Sequence, residues 1–453
     1  MVEAIANGIE DKLIDGLSFK MNPGASYVVD RRSVTFHPQG SNIYKTKEGT
    51  KLIRILLTGD NWMDPSTLRI LFQLNNDETD ETKFLRPLSG PHAFFRRMRI
   101  LVAGQLVEDI DQYNRIHEMM HFFVAPDSRD NDAAEAFGFV HNKHVATTNA
   151  AFAGIKQGQG LQVLFKPLSG LLNQNKMMPI RYAPVTIELE LVDDATEPIW
   201  SNNTAGTNAI VNSNNSLVWS INNVQVKVDM CTLDNALDNS YAQHLLSGKS
   251  LPISYNTFVS QMQTIAGQDK PLINVSRALT RLKGVFVTLH KDYTATNRLA
   301  LLGRKPWNDF FSPMSPENKD GQLTHNSEGE FELQLQIGSK LYLEYPIRSH
   351  NEAYYQLEKT LGVQASAVHN FDISATEYRD YKFILGTDCE KVLDAVLTGL
   401  NTRSGDLLSV SLKYANKGTV ETGIYPRLAD RIHIVLHSDQ ILEIRDSGCQ
   451  VFD

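Results

Sequence analysis

The segment 185–191 reads VTIELEL, in which four aliphatic residues alternate strictly with Thr and Glu. Successive side chains of an extended strand point to opposite faces, so the aliphatic residues share one face and the polar residues share the other. This pattern is typical of a strand that is buried on one side only. The segment therefore predicts an antiparallel sheet with one face against a hydrophobic core.

The same period-two pattern recurs on both sides of this segment. Residues 224–228 read VQVKV, and the second half of the chain contributes residues 331–337 (FELQLQI), 408–414 (LSVSLKY) and 432–436 (IHIVL). Turn-forming Gly, Asn and Asp bound these runs. A chain of 453 residues exceeds the size at which one core usually keeps growing. The sequence therefore predicts an all-β protein of two consecutive β-sandwich domains.

Helical spacing is scarcer and occurs at corresponding places in the two halves. In the first half, a strand that turns at Ala103 and Gly104 leads into residues 110–120, which have a helical pattern. In the second half, a strand over residues 341–347 leads into a helix over residues 350–361. The two halves thus share an order of strands and helix, and we interpret this as a weak internal repeat.

Between the halves, apolar residues recur every fourth position and stop at Gly248, as in an amphipathic helix with a C-terminal glycine. We expect the domain junction there. The predicted division is an N-terminal amphipathic arm over residues 1–20, a first sandwich over 21–231, a connecting helix over 232–249 and a second sandwich over 250–453. The arm has aliphatic residues at four-residue spacing, and it is too short and too acidic to insert stably into a membrane.

Composition excludes several classes of protein. The net charge is −8, and no Lys/Arg-rich tail is present, so direct nucleic-acid binding is not expected. No apolar run reaches the roughly 18 residues of a membrane span, and no secretory signal opens the chain. The three cysteines are widely scattered, which predicts neither a disulfide framework nor a zinc ribbon. We expect a protein that is not secreted and stays in a reducing compartment.

One motif favours an enzyme. His117, Glu118 and His121 match H-E-x-x-H, in which two histidines on one helix face bind zinc and the glutamate acts as a base. A third protein ligand is also required, and Glu135 is the one obvious downstream carboxylate. The alternative is that both histidines face solvent or an interface while the apolar residues of the helix pack inward. The sequence is interpreted as having no catalytic residue, cofactor or metal site, and a zinc metallopeptidase is kept as an alternative.

Several segments resemble the major capsid proteins of the double jelly-roll lineage, found in icosahedral double-stranded DNA viruses that include virophages, polinton-like viruses and nucleocytoplasmic large DNA viruses. In the first half they are residues 95–100 (FRRMRI), 103–108 (AGQLVE) and 178–184 (MPIRYAP), the last of which directly precedes the strand 185–191. In the second half, residues 441–446 (ILEIRD) follow the strand 432–436. The similarity covers nearly the whole chain in the order of its elements, and no single motif is diagnostic.

The resemblance implies two eight-stranded jelly rolls with short inserted helices and a structural function. Three copies would close into a pseudo-hexameric homotrimeric capsomer, and many capsomers would tile an icosahedral virion. The implied partners are neighbouring capsomers, penton and minor capsid proteins, and an inner membrane beneath the shell in some relatives. The implied location is the virion capsid, assembled inside the host cell. A β-sandwich carbohydrate-binding or receptor-binding protein, which would act through its exposed loops, remains a further alternative.

Overall fold

A computed structural model of the chain describes most of its residues. The described residues are 27–47, 49–123, 154–199, 215–265, 268, 270–290, 307–314, 317–318, 330–362, 373–380, 382–392, 398–403, 407–415, 424–425 and 429–453. The predicted N-terminal arm, the third-ligand candidate Glu135 and most of the two longest polar loops lie outside these residues. No helix in the described part of the chain is long and apolar enough to cross a membrane.

Within the described residues, ten strands precede the middle of the chain. They are β1 (Val28–Phe36), β2 (Ile43–Tyr44), β3 (Leu52–Leu57), β4 (Trp62–Asn76), β5 (Phe95–Val102), β6 (Gln105–Asp111), β7 (Gly160–Phe165), β8 (Met178–Pro179), β9 (Val185–Leu191) and β10 (Trp219–Leu233). Eleven strands follow it in the part of the chain that the structure describes. They are β11 (Leu251–Thr264), β12 (Leu272–Asn274), β13 (Leu282–His290), β14 (Glu317–Asn318), β15 (Glu330–Ile337), β16 (Lys340–Leu341), β17 (Leu385–Asp388), β18 (Leu408–Ala415), β19 (Ile424–Tyr425), β20 (Arg431–Arg445) and β21 (Gly448–Phe452).

Helices are few and short among the described residues. A 3-10 turn spans Pro91–Phe94, and the α-helices are α1 (Tyr113–Phe122), α2 (Asn235–Leu246), α3 (His350–Thr360) and α4 (Ala375–Asp380). The first three lie where helical spacing predicted them. Helix α2 ends just before Gly248, whose φ of +79° is the left-handed conformation that terminates many helices.

The first ten strands form two antiparallel sheets. One sheet has the order β1-β10-β4-β7, with the short strands β2 and β8 added at β10 and β4, and the other has the order β3-β9-β5-β6. Alternate residues of β4 are fully buried, and among them Phe72 meets Phe95 of the opposite sheet with ring centroids 5.7 Å apart. The two sheets therefore pack face to face as a sandwich, which we call the first roll.

The strands after α2 repeat this arrangement. They form sheets of order β11-β20-β13-β17 and β12-β18-β15-β16, with β21 added to β20. When the eight principal strands of each half are numbered along the chain, both halves have one sheet of order 1-8-3-6 and one of order 2-7-4-5. This is a jelly-roll order, and we call the second sandwich the second roll. The predicted fold class and the internal repeat are confirmed.

One predicted strand is wrong. Residues 341–347 form no continuous strand: regular pairing with β15 ends at Leu341, and one further backbone bond runs from the Tyr342 N–H to the Leu335 carbonyl oxygen at 2.9 Å. The backbone beyond it is engaged otherwise, since the Leu343 carbonyl oxygen accepts a hydrogen bond from the Gln334 side chain. Pro346 also has no N–H with which to continue a ladder. The segment returns to β15 only through an isolated bridge between Ile347 and Leu333.

Candidate functional site

The H-E-x-x-H motif lies on α1, directly over the 3-10 turn. Glu118 is buried, and its Oε2 atom accepts a hydrogen bond from Ser89 Oγ at 2.5 Å and lies 2.6 Å from His92 Nε2. Both partners belong to the segment that enters β5, so the carboxylate ties the helix to the sandwich. Ser89 and His92 each bond to Glu118 and not to one another, so the group lacks the serine–histidine contact that a nucleophilic triad requires.

The rings of the two motif histidines both lie close to the ring of His92. Their ring centroids are 6.5 Å apart, whereas the His117 ring lies 4.2 Å from that of His92. Burial, followed by the nearby His92, lowers the pKa of His117 well below its usual range, which keeps the imidazole neutral. Its Nδ1 atom has no hydrogen-bond partner within the described part of the chain.

The described residues alone supply no complete hydrolytic zinc site. Such a site needs a third protein ligand and a glutamate that is free to activate water. Among the residues that the structure describes, no group of three His, Cys, Asp or Glu side chains is placed to hold a metal ion. The Glu118 carboxylate is already bonded to Ser89 and His92. Its observed role is to hold α1 in place.

A second polar cluster joins the two rolls where β6 lies against β11. The Tyr255 hydroxyl lies 3.0 Å from the Val107 carbonyl oxygen, and Ser260 Oγ donates to the Asp111 carbonyl oxygen at 3.0 Å. Thr257 Oγ1 donates to Glu108 Oε1 at 3.1 Å. We call this contact between β6, β11 and the adjoining residues 168–172 the inter-roll seam.

Apolar and backbone contacts extend the junction beyond the seam. Phe122, at the end of α1, meets Phe310 of the second roll with ring centroids 5.5 Å apart. Trp307 Nε1 donates to the Glu197 carbonyl oxygen at 2.9 Å, and Cys449 Sγ lies 2.8 Å from the Val102 carbonyl oxygen. The two rolls are therefore packed against one another over several elements.

Glu108 is the ionisable centre of the seam. It is 2% exposed, and its carboxylate accepts hydrogen bonds from Ser169 Oγ at 2.5 Å and from the Gly170 backbone N–H at 3.1 Å, besides Thr257. Burial raises its pKa to about 7, while the hydrogen bonds act in the opposite direction. Charge on this group therefore changes near neutral pH.

The backbone at Gly170 fits closely against the second roll. A Cβ atom placed on Gly170 would lie 1.5 Å from the carbonyl oxygen of Asn256, far inside the 3.0 Å below which real contacts are essentially never seen. Glycine is thus required by close approach of two backbones, and not by an unusual φ angle. The seam leaves no room for a side chain there.

The outer strands of the sheets carry exposed apolar side chains. Val29 of β1 is 65% exposed, Leu272 of β12 is 63% exposed and Leu341 of β16 is 56% exposed. Each of these strands is the last in its sheet. Outer strands with exposed apolar residues are the places where further chains can pack.

Sequence patterns identified the motif helix but missed the seam. The partners of Glu108 lie up to 149 residues away, so no local spacing relates them. The structure shows the difference in β6, where Val107 and Glu108 are adjacent and both buried. Two consecutive buried residues mean that both faces of a strand are covered, whereas a simple sandwich strand would expose one.

Comparisons of the sequence alone find nothing, since no protein-family model and no curated protein matches it. Comparison of the structure finds virus shell components. The crystal structure of PBCV-1 VP54, fitted into a reconstruction of the virophage Sputnik, is 11% identical with a TM-score of 0.60, over 96% of this chain and 100% of that one. The Faustovirus major capsid protein is 9% identical with a TM-score of 0.54, over 95% and 94% of the two chains.

A chain of the Sputnik virophage structure is 10% identical with a TM-score of 0.56, over 96% of this chain and 90% of that one. In all three cases the match includes both rolls and the helix between them, because it spans nearly the whole chain. Identities this low show the fold alone. This chain has the double jelly-roll fold that is seen in viral major capsid proteins.

Proposed function

We propose that this protein is a structural major capsid protein and that three copies form a pseudo-hexameric capsomer of an icosahedral virion. The observation that carries the proposal is the repeated strand order of two jelly rolls in one chain, matched over 96% of its length to PBCV-1 VP54. A single sandwich with binding loops, as in a lectin, would not need a second roll of the same order.

The physical reason for a trimer lies in the symmetry of the subunit. Two rolls that are alike but not identical present similar edges, and a threefold axis repeats them as six. A closed trimer then packs with sixfold neighbours. The exposed apolar side chains on the outer strands β1, β12 and β16 supply surface for these contacts.

The remaining partners follow from this function. Neighbouring capsomers, penton and minor capsid proteins would contact the trimer in the virion, and an inner membrane could lie beneath the shell. The net charge of −8 favours a shell that leaves the genome to other proteins. Assembly would take place inside the host cell, and residues 1–20 would dock under the shell against a neighbouring or minor protein.

This function requires no catalytic residue, metal or cofactor. Glu118 supports that interpretation, since its carboxylate is used to hold α1 to the segment before β5. We also propose the division into an arm over residues 1–20, rolls over 21–231 and 250–453, and a connecting helix over 232–249. Deleting residues 1–20 should leave both rolls folded and weaken the attachment of capsomers to their neighbours.

The test is the mass and shape of the purified full-length chain. Light scattering should give a particle of about three times the 50.8 kDa chain, and electron microscopy should show pseudo-hexagonal outlines. A chain that stays monomeric at every concentration would contradict the proposal. Stoichiometric zinc together with peptide hydrolysis that is lost in Glu118→Gln would replace it with the metallopeptidase.

A further inference from the structure

We propose that Glu108 acts as a proton-controlled clasp between the two rolls: its protonated carboxyl group holds the inter-roll seam tight, and its ionised form loosens it. The inference concerns the contact between the halves of one chain. It therefore stands or falls independently of the capsid function.

The first support is the position of the carboxyl group. Glu108 belongs to β6 of the first roll, and Thr257, which donates to it, belongs to β11 of the second. Ser169 and Gly170 donate to it from the segment that lies between these strands. One side chain therefore joins three parts of the seam, and a change in its charge acts on all of them together.

The second support is the absence of a positive partner. Within the described part of the chain, no Lys, Arg or His forms an ion pair with Glu108. The ionisable groups that interact with it electrostatically are the phenols of Tyr113 on α1 and Tyr255 on β11, and for both phenols burial and then the Glu108 charge raise the pKa. A buried carboxylate with only neutral donors is costly to ionise.

The nearby charges do not remove this cost. Asp109, the next residue of β6, is paired with Arg97 at 2.6 and 2.7 Å. Asp453, at the C-terminal end, raises the pKa of Tyr255 further, so its charge also opposes negative charge at the seam. Asp453 therefore favours the neutral form of Glu108, and the positive charge of Arg97 is offset by Asp109.

The proton also decides how the hydrogen bonds are arranged. An ionised carboxylate only accepts, and it receives the hydroxyls of Ser169 and Thr257 together with backbone N–H groups. A protonated carboxyl group donates once, and a hydroxyl can turn to accept that proton, whereas a backbone N–H cannot. The cross-roll bond to Thr257 can therefore be kept in the neutral form without the cost of buried charge.

The sign of the pH effect follows from the direction of the pKa change. Burial raises the pKa of Glu108 from 4.5 to about 7 in the folded chain. Between these values the closed seam holds a proton that the opened seam releases, so raising the pH favours opening. The seam should be most stable on the acid side of this window and should lose that stability as the pH approaches 7.

The close fit at Gly170 means that ionisation of Glu108 has to change the relative position of the two rolls. Because its backbone already touches the carbonyl group of Asn256, the residues around Glu108 cannot take up a change in hydration by small local shifts. Water can reach the ionised carboxylate only if β6 and β11 move apart. The relative position of the two rolls is then the quantity that the proton controls.

Hydrogen exchange of the full-length chain between about pH 5 and pH 8 tests the clasp. After correction for the intrinsic exchange rate, the opening constant of amides in β6 and β11 should rise about tenfold per pH unit up to pH 7 in the wild type. Glu108→Gln, which resembles the protonated group, should show a flat profile. Glu190→Gln on β9, whose strand lies between β3 and β5, is the matched control and should behave as the wild type.

The same profile in Glu108→Gln and the wild type would overturn the proposal. If Glu108→Gln does not fold, Thr257→Val decides instead. It removes one hydrogen bond to the ionised form, so the infrared band of the protonated carboxyl group should persist to higher pH than in the wild type. If this band disappears at the same pH in Thr257→Val as in the wild type, the proposal is likewise overturned.

Discussion

Replacing Gly170 by alanine tests how tightly the two rolls are joined. The added Cβ atom would lie 1.5 Å from the Asn256 carbonyl oxygen, so the two backbones must separate by about 1.5 Å to reach even a 3.0 Å contact. The Glu108 carboxylate bridges them through bonds of 3.1 Å to the Gly170 N–H and to Thr257 Oγ1, and one of these must break.

The magnitude follows from these two losses. Overpacking costs about 1–3 kcal/mol, and above the pKa of Glu108, where the group is ionised, a lost hydrogen bond to it costs about 1.5–3 kcal/mol. We expect Gly170→Ala to lower the free energy of unfolding by about 3–5 kcal/mol. For a cooperative unit the size of one roll this corresponds to roughly 10 °C in Tm. Urea unfolding followed by circular dichroism, together with calorimetry, measures both quantities.

Gly59→Ala is the matched control. A Cβ atom on Gly59 would lie 3.7 Å from Ile180 Cδ1, which is an ordinary van der Waals contact. This variant should change stability by less than about 1 kcal/mol, since alanine also restricts the unfolded chain. If the free energy of unfolding of Gly170→Ala lies within 1 kcal/mol of the wild-type value, the rolls have more freedom than the structure shows, and the seam is not closely packed at Gly170.

Three further predictions concern other regions. Val29→Asp places a charge on the exposed outer strand β1 and should reduce the trimer fraction in light scattering at least tenfold. Ser33→Asp adds the same charge at a polar position of that strand and is its comparison. If Val29→Asp leaves the trimer fraction at the wild-type value, β1 is not part of the interface. Burial, followed by the charge of a nearby arginine, lowers the pKa of His433 to about 3, so the unfolded chain binds its proton first as the pH falls below 6.5. The free energy of unfolding should therefore fall in acid. His433→Leu should remove roughly 3 kcal/mol of the loss between about pH 7 and pH 4, as measured by urea titrations. If the variant loses as much stability in acid as the wild type, this histidine is not the source of the loss. Glu118→Gln should lower the free energy of unfolding by about 2 kcal/mol because His92 loses a charged partner, and unchanged stability would mean that the carboxylate does not anchor α1.

Much of the fold could be predicted because burial on one face leaves a local trace. The alternating run 185–191 is β9 with the same bounds in sequence and structure. The longer strands β10 and β20 were recognised only in part. A bulge near Asn223, with φ of +51°, interrupts the alternation in β10. In β20 several consecutive residues are buried, so no period of two remains to be seen.

The functional residues were harder to predict because their partners are distant in the sequence. The H-E-x-x-H motif at His117 could be recognised in the sequence. The role of Glu118 could not, because it depends on hydrogen bonds to Ser89 and His92, which belong to another element. The partners of Glu108 could not be inferred, since Thr257 belongs to the other half of the chain. Residue spacing predicts the secondary structure of one segment, whereas this junction depends on tertiary contacts between distant segments.

The exchange of hydrogen bonds across the seam has a consequence for fragments of this chain. A polypeptide cut at Gly248 would give two pieces that each contain all the strands of one roll. The N-terminal piece would present Glu108 to water, and the C-terminal piece would present the apolar ring of Tyr255. Each piece would bury these groups again by associating with the other piece. In the intact chain, helix α2 connects the two rolls covalently and so keeps them at a high effective concentration.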